Sequence, residues 1–420
     1  MSWRLIGTPR GWSAAGLAFL TTVTGCTSLV DPAGLSQGVV AGLTVTNDSA
    51  SGADAAAGNV SEGPAQAPQS EAQQSMLGAA DSGSVSGTLG AGEYRLYPIG
   101  PSEAGDQWTV DLVSVNSFVV ALFEANTSLV RREYLSSNRS FTHVMRQATP
   151  QTYVGIMTPA NGNAGAFRLS LRRQSGVEIP APGHQTVYLN FAGASNLSVH
   201  HDSPVSFGAF DAATVDAAYV NQTEKLKAGI VSLVRADFAP YDVTILTSDD
   251  SPPPNGDYST VHFGGNSTGL LGLADAVDNY NQRDGEAAIV YVEGFRPYQT
   301  MKLSVEQMGV MMGNVASHEL GHLLGLYHTR DPNDILDTTG GAWDLASTQD
   351  FESAALEPTV FATGQQNSPA LLVQIVGLNP APQKSSAALQ RPIANGAAKL
   401  KQLMMRDLES ACGTCRHLDD

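Results

Sequence analysis

The chain reads as multidomain: an antiparallel β-sandwich followed by an α/β (α+β) domain with a cluster of histidines on one long helix. Three observations point there. Residues 82–174 break into short alternating apolar runs punctuated by Gly, Asn, Ser and Pro, the texture of antiparallel strands joined by turns. Beyond residue 182, such runs alternate with stretches of helical period. Within the second region, "ASHELGHLLGLYHT" (316–329) holds three of the chain's nine histidines, a glutamate and a glycine at fixed intervals.

At 420 residues the chain is long enough for two or three domains with their own cores. Hydrophobic residues make up 42%, charged residues only 15%, and there are 42 glycines, which fits a strand-containing exported protein better than a cytosolic helical one. A net charge of −17 and a pI near 4.8 argue against nucleic acid or an anionic membrane surface as a partner.

The first 25 residues read as a signal peptide. Arg4 and Arg10 precede the apolar stretch "GWSAAGLAFLTTV" (11–23), which is too short to span a bilayer. "VTGC" (23–26) follows directly and resembles a bacterial lipobox, in which Cys26 would be lipidated. The plainer alternative is an ordinary signal peptide with an incidental cysteine. The lipobox implies a membrane partner through an N-terminal lipid anchor and a place on the bacterial cell envelope. Thr27 stands where an inner-membrane retention signal usually has Asp, so the analogy favours the outer membrane. Residues 26–81 are rich in Ala, Gly, Ser, Gln and Thr, the composition of a flexible tether. Cys412 and Cys415, near the end of a C-terminal helix and tail (379–420), would most simply pair as a disulfide in an oxidising compartment. A helix is expected there at 394–411.

The runs "SGTLGAGEYRLYPIG", "DQWTVDLVSV", "SFVVALFEA", "SLVRREYL", "TYVGIMT" and "AFRLSLRR" make up the first folded region. Their order resembles the bacterial pre-peptidase C-terminal domain over 82–174, which implies a companion module with no catalytic residues of its own. "QSGVEIPAPGHQ" (174–185) reads as a linker. The second region, 182–378, opens on the strand "QTVYLNF". Residues 213–238 carry Val215, Tyr219, Leu226, Ile230, Leu233 and Val234 at helical spacing up to Pro240, and "YDVTILTS", "STVHFGG" and "AAIVYVEG" are further strands. Ser304 with Gln307 three residues on is a capping-box signature for the helix that carries the histidines.

His318 and His322 are four apart, so on a helix both imidazoles leave the same face one turn apart, and one Zn²⁺ can take both. Glu319 follows the first and is placed to take a proton from water. Gly325 suits a helix end that needs a left-handed residue, after which the chain can return His328 as a third ligand. Three neutral nitrogens leave a coordination position open, as a catalytic site requires. The alternative is a His-rich core helix whose buried rings would need three separate hydrogen-bonding solutions.

The complete HExxHxxGxxH pattern over 318–328 resembles the metzincin clan of zinc metallopeptidases. The resemblance implies a zincin-like fold over 182–378, one catalytic zinc on His318, His322 and His328, Glu319 as general base, and a protein or peptide substrate. Metzincins also carry a Met in a turn beneath the site. Here the corresponding stretch is "DPNDILDT" (331–338), with Leu336 at the Met position and Thr338 where some subfamilies have Tyr. Two rival readings remain at this point. One is an inactive surface binding lipoprotein; the other is a gluzincin-type peptidase with Glu352 or Glu357 as third ligand. "DAVDNYNQRDGE" (275–286) is rich in oxygen ligands, so calcium is a weaker second cofactor, although a polar turn explains the segment more simply. His200 and His201 read as exposed loop residues, and His143, His184, His262 and His417 show no partner pattern.

Overall fold

The computed structural model describes residues 81–380 apart from 160, 161, 163, 201, 268 and 284. The expected signal peptide, tether and terminal helix, with Cys26, Cys412 and Cys415, lie outside the described residues, as does His201. No helix among the described residues is long and apolar enough to cross a membrane.

Eight strands build the N-terminal β-region: β1 (Ser82–Leu89), β2 (Tyr94–Ser102), β3 (Gln107–Ser114), β4 (Phe118–Phe123), β5 (Leu129–Leu135), β6 (Arg139–Val144), β7 (Thr149–Met157) and β8 (Gly165–Gln174). They form two four-stranded antiparallel sheets, ordered β1-β8-β3-β6 and β2-β7-β4-β5. In β3, Trp108, Val110 and Leu112 are buried while their neighbours reach outward, the period of a half-buried strand. These three pack with Phe118, Val120 and Leu122 of β4 and Val154 and Ile156 of β7, so one core draws on both sheets. The Trp108 indole donates to Ser102 Oγ at 2.9 Å, which satisfies its only polar atom in that core.

β4 departs from alternation. All six of its residues are buried, as in a strand covered on both faces. Its other face, Val119, Ala121 and Phe123, packs with Tyr327, Leu356, Val360 and Phe361 of the second region. Phe361 stands edge-on to Phe123 and Tyr94, at 5.1 and 5.9 Å between centroids. The segment 174–185 connects the two regions as expected, yet it does not separate them: they share an apolar interface, and Arg146 ties the connector at Pro180 O to Gln374 O.

In the second region, β9 (Gln185–Asn190) is followed by a hairpin, β10 (Ala194–Leu197) with β11 (Val205–Phe207). Then come α1 (Thr223–Asp237), β12 (Val243–Thr247), β13 (Ser259–Phe263), β14 (Gly272–Ala274), β15 (Ala287–Val290) and α2 (Val305–Leu323). The sheet runs β12-β9-β13-β15-β14, parallel except for the edge strand β14. The helix expected over 213–238 forms only from Thr223. Before it, Asp211 and Asp216 each cap a short 3₁₀ turn by accepting from the backbone N–H two residues on. Asn221 then sits at φ 62°; such local side-chain bonding competes with a continuous helix. Glycines let α1 and α2 approach closely. A Cβ on Gly309 would lie 3.3 Å from the Gly229 Cα, and one on Gly313 would lie 2.8 Å from Leu233 Cδ2.

His143 of β6, which shows no partner pattern in the sequence, and His200, expected as an exposed loop residue, are both held by neighbours, and His200 is half-buried. The His200 N–H donates to Asp275 Oδ1 at 2.8 Å. His143 is buried at the interface, its ring 5.0 Å from that of Tyr280, over which Arg146 also lies. Burial, reinforced by Arg131 and Arg146, pulls the His143 imidazole down to about 3. Unfolding at any pH between that value and the ordinary 6.5 therefore takes up a proton there. The stability this ring contributes is whole above about pH 6.5 and is lost as the pH falls toward 3. His262, lowered to about 4 by burial, acts in the same direction, whereas Glu286, raised to about 7 by burial, favours the acid side. We predict that His143→Phe, which keeps a ring in the stack, makes the loss of unfolding free energy between pH 6.5 and 4.5 shallower by about one proton's slope, ~1.4 kcal/mol per pH unit. Urea denaturation across that range measures it, and a decline as steep as that of the wild type would refute it.

Candidate metal centre

α2 starts where its capping residues place it. Ser304 Oγ accepts from Gln307 N–H at 3.3 Å, and Gln307 Oε1 accepts from Ser304 N–H at 2.9 Å, so both halves of the capping box are present. From Met308 the helix is buried nearly all round through to Leu323. It ends in two bonds: Gly325 N–H to His322 O at 2.8 Å and Leu326 N–H to Gly321 O at 2.9 Å. This pair is the Schellman motif, which needs a left-handed residue at its turn, and Gly325 has φ +91°. Space imposes the same choice, since a Cβ at 325 would lie 2.6 Å from Asp278 O. The loop that presses on Gly325 also donates Asp278 N–H to His322 O at 3.0 Å.

The turn brings His328 back to the helix. His322 Nε2 lies 3.1 Å from His318 Nε2 and 3.1 Å from His328 Nε2. Among the described residues, His318, His322 and His328 are the one group of three metal-ligating side chains whose donor atoms all fall within 4.8 Å of one another. All three are buried, at 2%, 0% and 6% exposure.

Protonation follows from the partners. His318 Nδ1 is 2.7 Å from Ile335 O, and His322 Nδ1 is 2.8 Å from Leu326 O. A carbonyl only accepts, so each Nδ1 carries the hydrogen and each neutral ring presents a lone pair at Nε2. Burial lowers His318 to about 4 and His322 to about 3, the latter with a further contribution from His318. Two lone pairs 3.1 Å apart with no proton between them repel unless a cation lies between them. The donor set therefore fits a metal ion, and three imidazole nitrogens suit zinc among the common ones.

Leu336 is fully buried, and its Cδ2 would lie 3.3 Å from a Cβ on Gly321, between the two helical histidines in sequence. Its turn is wired to the site on both sides. Ile335 O holds His318, while Leu336 O accepts from Thr329 N–H, next to His328, at 2.9 Å. Thr329 Oγ1 donates to the buried Asp334 at 2.6 Å, and burial raises that carboxyl to about 6. Neither Thr329 nor Asp334 was singled out from the sequence, where they look like ordinary loop polar residues.

Glu319 is fully buried. Its carboxylate lies against the backbone of β14: a Cβ on Gly272 would sit 2.1 Å from Glu319 Oε1. Gly272 is thus the residue that makes room for the glutamate. Its only sequence signal is a glycine inside the short apolar run "LLGLA". Glu352 and Glu357 are not among the clustered donors. Glu352 is exposed, Glu357 accepts from Thr359 N–H, and neither stands on a helix. Within 275–286, Asp275 accepts from His200 and Ala287 N–H, Asp278 accepts from Arg283 N–H, and Glu286 lies 3.1 Å from the Arg283 guanidinium.

Residues 199–348 match the family model described as Matrixin, a metzincin family, and the match takes in the histidine cluster. At the family level it supports a zinc metalloprotease. No curated protein matches the chain. Among solved structures, the periplasmic lysozyme inhibitor PliG of Aeromonas hydrophila is 12% identical with a TM-score of 0.21, over 23% of this chain and 89% of its own. The PliG of Salmonella Typhimurium is 15% identical at a TM-score of 0.19, over 23% and 92%. The mitogen of Yersinia pseudotuberculosis is 11% identical at 0.19, over 24% and 91%.

Proposed function

We propose that this chain is an exported zinc-dependent endopeptidase in which His318, His322 and His328 hold the metal and Glu319 is the general base. The observation that carries the reading is the convergence of three imidazole Nε2 atoms, with a buried carboxylate next in sequence to the first. When bound, zinc supplies a Lewis acid that acidifies water toward neutrality and polarises a carbonyl. The chain's own residues do the rest. Ile335 O and Leu326 O keep the His318 and His322 protons on Nδ1, so both rings stay pure donors toward the metal. Glu319, held against Gly272, takes a proton from the attacking water and passes it to the leaving amine. The Matrixin match over 199–348 supports this reading, and the resemblance of 82–174 to a pre-peptidase domain accords with it.

By the same reading, Glu319→Gln retains zinc at one per chain and loses at least about a hundredfold in peptide turnover, whereas His328→Ala loses zinc. Metal analysis alongside a peptide-library cleavage assay checks both. Zinc loss in Glu319→Gln, or turnover equal to wild type, would overturn the assignment of the base.

Leu336 needs only to be apolar and of the right volume. Leu336→Met should cost under about 1.5 kcal/mol, Leu336→Ala roughly 2–5 kcal/mol for the cavity left under Gly321, and Leu336→Asp more, as an unpaired buried charge. Thermal unfolding with and without chelator reads all three. Equal tolerance of Ala and Asp would show that the turn does not brace the helix.

The N-terminal pattern places the protein, in this proposal, on the bacterial cell envelope, lipid-anchored and by analogy in the outer membrane. Mass spectrometry of membrane-extracted protein should find an acylated Cys26, and Cys26→Ser should abolish detergent extractability. Wild-type protein recovered in the aqueous phase without an acyl group would contradict it.

A further inference from the structure

We propose that Arg132, in β5 of the β-region, is a positioning residue for the third histidine, so that the β-region is a structural part of the metal centre. The proposal rests on the metal-site reading above. Past Gly325 the chain has three residues in which to bring His328 Nε2 to 3.1 Å from His322 Nε2. Ligand geometry of that kind tolerates little error, and the groups around ligands are what supply the precision.

Tyr327, the residue before His328, is where the β-region takes hold. Its hydroxyl donates to Arg132 O at 3.0 Å, and its ring lies under the Arg132 guanidinium, 5.5 Å from centroid to carbon. Arg132 is itself fixed on two sides. Its Nε donates to Val360 O at 3.1 Å, and its carbonyl also accepts from Asn279 Nδ2 at 3.0 Å. Both partners lead back to the histidines. Asn279 follows Asp278, whose N–H holds His322 O, and Val360 belongs to the segment in which Glu357 N–H holds His328 O at 3.0 Å.

The Tyr327 backbone is held as well. Gln366 accepts from its N–H at 2.8 Å and donates to its carbonyl at 2.9 Å, gripping both backbone groups. Arg132 is 4% exposed in spite of its charge. Burying a guanidinium is costly unless its surroundings compensate, and the Tyr327 ring and the Val360 carbonyl contribute to that compensation. A module joined only by a flexible linker has no need to spend a buried arginine on its neighbour.

The test uses the full chain, with zinc affinity by chelator competition and the visible spectrum of the Co²⁺-loaded protein as readouts. Arg132→Met keeps the apolar stem of the side chain without the guanidinium, and Tyr327→Phe keeps the ring without its donor. Leu112→Ala destabilises the β-region core without touching the contact. Arg132→Met and Tyr327→Phe should each weaken zinc binding about 10–100-fold and shift the cobalt bands, with Leu112→Ala matching wild type in both. If Arg132→Met does not fold, Tyr327→Phe decides alone. Wild-type affinity and spectrum in the Arg132 and Tyr327 variants would overturn the proposal, as would equal weakening by Leu112→Ala. A wild type that takes up no zinc, or a His328→Ala variant that holds it as tightly, would instead remove the metal reading itself, and this proposal with it.

Discussion

Three imidazole Nε2 atoms converge inside a buried site, and most of what surrounds them serves to make that convergence stable. The decisive contacts are short: His318 Nδ1 to Ile335 O at 2.7 Å and His322 Nδ1 to Leu326 O at 2.8 Å. They decide which nitrogen carries the proton and so convert two rings into donors aimed at one point. Without a cation the arrangement is repulsive. With one, the same burial that disfavours imidazolium favours coordination, because the rings need lose no proton to bind.

Holding those contacts takes structure on every side. Gly229 and Gly309 let α1 and α2 lie close enough for the helix to be rigid, and Gly321 leaves space for Leu336 beneath it. Gly325 both reverses the chain and admits the 275–286 loop, while Gly272 gives the Glu319 carboxylate its place against β14. Glycine here is chiefly a statement about distance: a Cβ at Gly272 or Gly325 would collide with its neighbour, and one at Gly309 or Gly321 would crowd it. The β-region completes the enclosure by covering Tyr327, Leu356, Val360 and Phe361.

The sequence was most legible where one residue type answers one requirement. The histidine spacing, the left-handed Gly325 and the Ser304 cap are local, and local chemistry decides them. The parallel strands β9, β12, β13 and β15 were legible as apolar runs, but β14 was not, because three residues carry no period. Long-range fits were the least readable. "SFVVALFEA" contained the clue that β4 is covered on both faces, since it runs apolar without alternation. What covers it depends on Phe361, more than two hundred residues later. Arg132 likewise looks like any surface arginine until Tyr327 is brought beneath it. Asp275 and Asp278 accept from backbone N–H groups, a use that composition alone does not separate from cation binding.

His318 and His322 carry their protons on Nδ1 and present Nε2 as a lone pair. Long-range ¹H–¹⁵N correlation spectra of histidine-labelled protein read this directly. Both rings should show the Nδ1–H tautomer in the metal-free protein at pH 7, and a change at Nε2 alone when zinc is added. An Nε2–H tautomer, or a doubly protonated ring, at either position would contradict it.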